Sequence, residues 1–151
     1  MSGQFSRPAE TAELALTRFD PGARAKLSRK GVVLGETDTG DGGIEGLVVF
    51  DQPIVRVWEL LSQANRQREY RPELKRARTI ERDSEHSLEE HELRIMFIGL
   101  TYRLRFDLDS DQNHIGWALD TSFENDVDHV SGDWWLFEME DGRTLGLFRT
   151  R

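Results

Sequence analysis

Residues 88–109 read LEEHELRIMFIGLTYRLRFDLD, from Leu88 to Asp109. Apolar side chains recur at every second position over most of this stretch, the period of a half-buried strand. Leu93, Ile95 and Phe97 share one face, and Leu100, Tyr102, Leu104, Phe106 and Leu108 form a second series. As a single strand the run would extend to about 70 Å at roughly 3.3 Å per residue, beyond any ordinary strand. The parity also slips between Phe97 and Leu100. The stretch therefore predicts a hairpin or a sharply bent strand pair, turning near Ile98-Gly99.

The pattern continues downstream. Ser110 to Asn113 is a turn, and Ile115, Trp117 and Leu119 alternate in a further strand. After a polar loop around 124–129, Trp135, Phe137 and Met139 alternate again. Asp141-Gly142 is a hairpin signal of the type I′ kind, and Leu145 to Phe148 begins the last strand. Upstream, Leu47–Phe50 is a compact apolar strand and 77–81 a modest one. Between them Asp51 offers a helix N-cap and Pro53 suits a first turn. Ile54, Val57, Trp58 and Leu61 then give one apolar helical face, and a second short helical piece, Arg66 to Arg71, ends at Pro72. Before residue 43 the pattern is thin: an amphipathic helix over Thr11–Phe19 stopped by Asp20-Pro21-Gly22, and an apolar run at 31–35 that reads as an edge strand. A Gly-rich polar stretch, 37–43, lacks the lysine and hydroxyl of a phosphate loop.

Composition narrows the function classes. The 151 residues contain no cysteine, which removes thiol catalysis, Cys-ligated metal and disulfides. The net charge of -8 argues against a general nucleic-acid binder. That charge is local: residues 1–43 are neutral, 44–82 carry +2, and 83–151 carry -10. No run approaches the ~20 apolar residues of a membrane span, and no secretory signal follows Met1. The reading is a soluble, cytoplasmic protein with a core mostly after Gly43.

Strand, two short helices, then a run of antiparallel strands is the decisive order. The marks are Gly46-Leu47-Val48-Val49-Phe50-Asp51-Gln52-Pro53, Val57-Trp58-Glu59-Leu60-Leu61, Glu69-Tyr70-Arg71-Pro72-Glu73-Leu74, Gly132-Asp133-Trp134-Trp135 and Asp141-Gly142. Over residues 44–151 this resembles the START-like (Bet v 1-like, helix-grip, SRPBCC) superfamily, which includes polyketide cyclases and coenzyme Q-binding proteins. The resemblance implies an α+β fold, in which an antiparallel sheet of about six or seven strands grips a long C-terminal helix around an apolar cavity. Residues 1–43 are then an N-terminal extension and linker. No residues remain here for the closing helix. The expectation is a chain that stops short of a complete domain, or one whose Thr11–Phe19 helix folds back over the sheet or swaps into a homodimer.

Leu93, Ile95, Phe97, Tyr102, Leu104, Phe106, Trp117, Leu119, Trp135 and Phe137 are the inward-facing candidates for lining a ligand cavity. Tyr102, Trp117 and Trp135 stand out, each joining an apolar body to a polar handle. The expected ligand is a hydrophobic small molecule: a lipid, an isoprenoid quinone or a polyketide-like aromatic. No catalytic set, metal site or cofactor motif is present. His86, His91, His114 and His129 lack ligand spacing, and 107–118 lacks the glycine and glutamate of a calcium loop. Asp126, Asp128 and His129 read as an acidic loop. A cyclase or aromatase is the alternative; it would have to draw on Tyr102, Arg103, Arg105 and His114, although parity puts both arginines outside. A protein-interaction module is the third reading. It would use the apolar tip Phe97-Ile98-Gly99-Leu100, which also suits a gate or transient membrane contact, and the cations Arg66, Arg68, Arg71, Lys75, Arg76 and Arg78. Those cations otherwise form a solvated face, partly neutralised by Glu69 and Glu73.

Overall fold

The computed structural model describes residues 9–17, 19, 21–22, 32–36 and 43–150. Its framework is one antiparallel sheet of eight strands: β1 (Val32–Glu36), β2 (Ile44–Phe50), β3 (Leu74–Arg82), β4 (His86–Ile95), β5 (Ile98–Asp109), β6 (His114–Leu119), β7 (Ser131–Glu138) and β8 (Thr144–Thr150). The spatial order is β1-β2-β8-β7-β6-β5-β4-β3. The strands from β3 to β8 form a meander of sequential neighbours, and β2 enters beside β8. With β1 counted, the sheet has one strand more than the six or seven anticipated. The 37–42 part of the Gly-rich stretch lies outside the described residues.

Between β2 and β3 the chain makes helix α2 (Ile54–Leu61), as the sequence predicts, and a 3-10 turn (Ala64–Glu69) that begins two residues before the helical piece expected at 66–71. The cap differs. Pro53 is itself the N-cap, in an extended conformation, and no side chain caps the helix, so Asp51 has no such role. Burial of one face holds these short helices, since eight residues are too few to be helical alone. Val57 and Leu61 are buried, with Ile54 and Trp58 packed beside them. Arg82 donates to the Ser62 carbonyl (3.0 Å) and ties the end of α2 to β3.

The hairpin in the opening stretch exists, but it turns at Met96-Phe97, with Ile95 opposite Ile98. Gly99 lies inside β5 opposite Arg94. An apolar turn carries no composition signal, whereas Gly99 carries one without turning the chain. At Asp141-Gly142 only the glycine has positive φ (85°), so this loop is not type I′. Met139 and Arg143 close it through their backbones, in the manner of a longer hairpin loop with glycine at the left-handed position.

Both faces of the sheet are buried. One packs against α2: Tyr102, Leu104, Phe106, Leu108, Ile115 and Leu136 gather there with Val57 and Leu61. The opposite, outer face gathers Leu47, Trp135, Phe137, Leu145 and Leu147. A short helix α1 (Ala12–Leu16) covers these, with Ala12 and Ala15 in the contact and Thr11 as its N-cap (Leu14 N–H to Oγ1, 3.2 Å). The N-terminal helix therefore lies on the face away from the cavity and does not take the place of a closing helix. Residues before 43 belong to the packing in two further ways: β1 pairs along β2, and Phe19 rests on the outer cluster.

Candidate functional site

Aromatic rings dominate the face that carries α2, and glycine makes room for them. A Cβ at Gly132 would stand 2.6 Å from the Trp117 ring, and one at Gly146 would stand 2.8 Å from Phe50 and 2.9 Å from Trp134. These two positions let indoles lie flat across β7 and β8. Phe106 and Trp117 are 6.0 Å apart, Trp134 and Phe148 5.1 Å, and Phe50 meets Trp134 edge to face at 5.9 Å. Between these rings and the end of α2 is a cavity of about 350 Å3. Leu61, Leu104, Phe106, Ile115, Trp117, Val130, Trp134 and Phe148 make its wall mostly apolar. Three larger hollows, of about 540, 380 and 620 Å3, are lined mainly by polar loop and surface residues, a poorer match to a ligand site than the smaller apolar one.

One end of the apolar cavity is polar. Gln67, Tyr70 and Arg71, from the 3-10 turn and the segment after it, meet Tyr102 on β5 there. Arg71 Nη2 donates to the Tyr102 hydroxyl (3.4 Å), its Nη1 to Gln67 Oε1 (3.3 Å), and its Nε to Glu73 (3.1 Å). Burial opposes the charge of Arg71, yet its bonds to Tyr102 and Glu73 outweigh that cost and hold its pKa above the ordinary arginine value. The guanidinium is a fixed cation on the cavity wall.

Behind it stands a network that hydropathy conceals. Ser87, Glu89 and His91 share the inward parity of Leu93, and all three are buried. Glu89 accepts from Gln67 Nε2 (3.0 Å) and Ser87 Oγ (3.0 Å), and His91 Nε2 lies 3.2 Å from it. Arg71 Nη1 approaches His91 Nδ1 at 3.4 Å. A guanidinium can only donate, so Nδ1 accepts and the ring proton sits on Nε2, aimed at Glu89. The chain Glu89–His91–Arg71–Tyr102 thus sets two donors, a guanidinium and a phenol, at the rim of an apolar volume. Such a pair can bind and orient a carbonyl, phenolate or carboxylate oxygen while the rings hold the rest of a ligand.

The structure divides the ten sequence candidates. Tyr102, Leu104, Phe106 and Trp117 line the cavity, and Leu93 and Leu119 pack beside it. Ile95 and Phe97 do not reach it: they lie at the hairpin end and are exposed, because the strands run past the sheet there. Trp135 and Phe137 point to the outer face, and their neighbours Trp134 and Leu136 point inward. Both faces of β7 are buried, so alternation could not choose between adjacent tryptophans. The polar handle of Trp135 is spent on Asp133 (Nε1 to Oδ2, 2.9 Å). His114 is also on that outer face, stacked on Trp135 at 3.9 Å and 3.0 Å from Asp133, and so is remote from any cyclase chemistry in the cavity. Arg103 pairs with Glu90 and lies over Phe123, and Arg105 pairs with Asp120. Most of the basic run is a solvated, ion-paired face: Arg66 with Glu69, Arg78 with Glu90, and Lys75 and Arg76 sharing the single carboxylate of Glu92. Arg71, paired with Glu73, differs in that it is half-buried and also reaches Tyr102 at the cavity. Asp126, read as part of an acidic loop, caps the Thr101 N–H (2.8 Å).

A sheet with a helix pair inserted after its second strand and an apolar cavity beneath defines the START-like, helix-grip fold. Solved structures share it. The Zhui aromatase/cyclase from a Streptomyces species superposes with a TM-score of 0.63 at 22% identity over 72% of this chain and 65% of that one. A STAR-related lipid transfer protein from Xanthomonas axonopodis gives 0.68 at 10% identity, over 81% of this chain and 76% of that one. A Thermus thermophilus protein gives 0.64 at 14% identity over 72% of each. The chain thus spans less than two thirds of the aromatase/cyclase. No protein-family model matches the chain, and no curated protein matches its sequence.

Proposed function

We propose that the protein binds a hydrophobic small molecule, of lipid, isoprenoid quinone or polyketide-like aromatic type, in the cavity beneath α2. The observation that carries this is the pairing of an aromatic-lined volume of about 350 Å3 with one polar end, Arg71 and Tyr102. That volume lies within the ~300–1,000 Å3 of small-molecule sites. Apolar walls supply affinity through burial, and the two donors fix which end of the ligand enters. Structural neighbours named for lipid transfer and for aromatase/cyclase activity support the same class of cargo. The absence of cysteine supports a place in the cytoplasm.

Native mass spectrometry of the purified chain, before and after extraction with organic solvent, tests the proposal. A ligand mass that disappears on extraction, and is excluded by the cavity-filling change Ile115→Trp in a folded protein, is the expected result. Unchanged mass in both, with no uptake of added quinone or aromatic polyketide, would refute it.

A cyclase or aromatase is the second reading, favoured by the Glu89–His91–Arg71 network behind the Tyr102 hydroxyl. A phenol so held can exchange a proton with a ligand carbonyl. Tyr102→Phe then abolishes turnover of a poly-β-ketone substrate while leaving its binding measurable; loss of binding alone returns the protein to the carrier class.

A further inference from the structure

The tip of the β4–β5 hairpin has no partner in the fold. Ile95 is 53% exposed, Met96 83%, Phe97 96% and Ile98 63%. Four successive apolar side chains thus stand in water at the end of a two-residue turn, where polar residues are the rule. The backbone adds a second observation. Met96 has φ 56°, a left-handed conformation that glycine or asparagine adopts freely and other side chains rarely do. Phe97, the second turn residue, has no positive φ, so the turn is of the kind that favours glycine at its first central position. A Met-Phe pair occupies the place of a favourable Gly-Ser or Gly-Asn, and the hairpin accepts strain to display two large apolar groups.

Charge around the tip is one-sided. Arg94 adjoins it, opposite Gly99, and makes no ion pair among the described residues. On the neighbouring strand Lys75 and Arg76 share a single anion, Glu92, at 3.7 and 3.9 Å. Glu73 is engaged with Arg71, while on the far flank Asp126, which accepts from the Thr101 N–H, keeps its negative charge. The β3 flank therefore keeps a cationic surplus in a chain whose net charge is -8.

We propose that this tip is a membrane-docking wedge: Ile95, Met96, Phe97 and Ile98 enter the headgroup–acyl boundary of an anionic bilayer while Arg94, Lys75 and Arg76 contact its phosphates. The shape favours a bilayer over a protein. A stable protein contact buries about 800 Å2 per partner across complementary surfaces, whereas a liquid boundary accepts a narrow apolar point flanked by cations. The proposal stands whatever the cavity holds.

Vesicle co-sedimentation of the full chain tests it. Vesicles of phosphatidylcholine with phosphatidylglycerol are compared with phosphatidylcholine alone at low ionic strength. The informative variant is Met96→Gly with Phe97→Ser, which puts glycine at the left-handed position and keeps or raises the melting temperature. Wild-type protein sediments with the anionic vesicles, and the double variant binds them about tenfold more weakly. Should the double variant fold poorly, Phe97→Ser alone, which leaves the Met96 backbone untouched, carries the same expectation. Absence of wild-type binding, equal binding by the variants, or equal binding to both lipid mixtures would overturn the proposal. Self-association seen by light scattering and lost in the double variant, without vesicle binding, would overturn it in favour of a contact between copies of the chain.

Discussion

Two buried clusters on opposite faces of the sheet use the same three kinds of side chain to different ends. On the outer face Asp133 is surrounded by His114, Arg149 and Trp135, at 3.0, 2.9 and 2.9 Å. On the cavity face Glu89 is bonded to Gln67, Ser87 and His91, and His91 leads on to Arg71 and Tyr102. In the first cluster every donor converges on one carboxylate, and the arginine makes a fork onto both of its oxygens. In the second the chain of bonds runs outward and finishes at the rim of a cavity. The difference teaches how to separate a structural cluster from a site: by where its last donors point.

The largest effect should come from breaking the outer cluster. Asp133→Ala strands a half-buried arginine and a buried histidine, a loss of roughly 3 kcal/mol, the low end for a broken buried pair, read from urea unfolding. Its ligand affinity should be unchanged in whatever fraction stays folded. Glu89→Ala leaves Gln67, Ser87 and His91 without their acceptor and should cost less, about 1–3 kcal/mol. Unlike Asp133→Ala, it should also weaken ligand uptake, because His91 and Arg71 lose their backing. Equal damage to uptake from both changes would erase the distinction. Tyr102→Phe should move unfolding by under about 1 kcal/mol, the bond to Arg71 being long, yet weaken an oxygen-bearing ligand about tenfold in titration calorimetry.

The smallest effect is one of pH. Burial opposes the Asp133 charge, but the bonds from His114 and Arg149 outweigh it and hold the carboxyl below the usual aspartate range. Its contribution to stability is therefore full above the unfolded aspartate pKa and fades as pH falls through the lower folded value. The acid limb of a stability–pH curve should flatten in Asp133→Asn. A wild-type limb that is unchanged by this substitution would count against the assignment.

Elements with a clean period were legible. The strand alternation from Leu88 to Asp109, the α2 stripe and the order of elements carried the resemblance that implied the helix-grip fold. Four features were not, each for a physical reason. Trp134 and Trp135 are both buried, so hydropathy could not say which faces the cavity. Ser87, Glu89 and His91 are polar on an inward face, where partners rather than apolarity make burial tolerable. Their parity with Leu93 was the available signal. Arg71 sat within a run of solvated cations, and only the proximity of Tyr102, distant in sequence, sets it apart. Met96 turns the chain without a turn residue, against local preference.

The placement of β2 beside β8 has a consequence for how the molecule is made. Ile44 pairs with Thr150 and Phe50 with Thr144, so strands far apart in the sequence share a ladder. The β1–β2 hairpin must wait, with one edge unpaired, while β3 to β7 can meander together as they leave the ribosome. Closing so long a loop is an entropic cost that precedes its reward, which slows folding and prolongs the life of a sticky edge. β8, paired with β2 on one side and β7 on the other, is the strand that makes the sheet one piece.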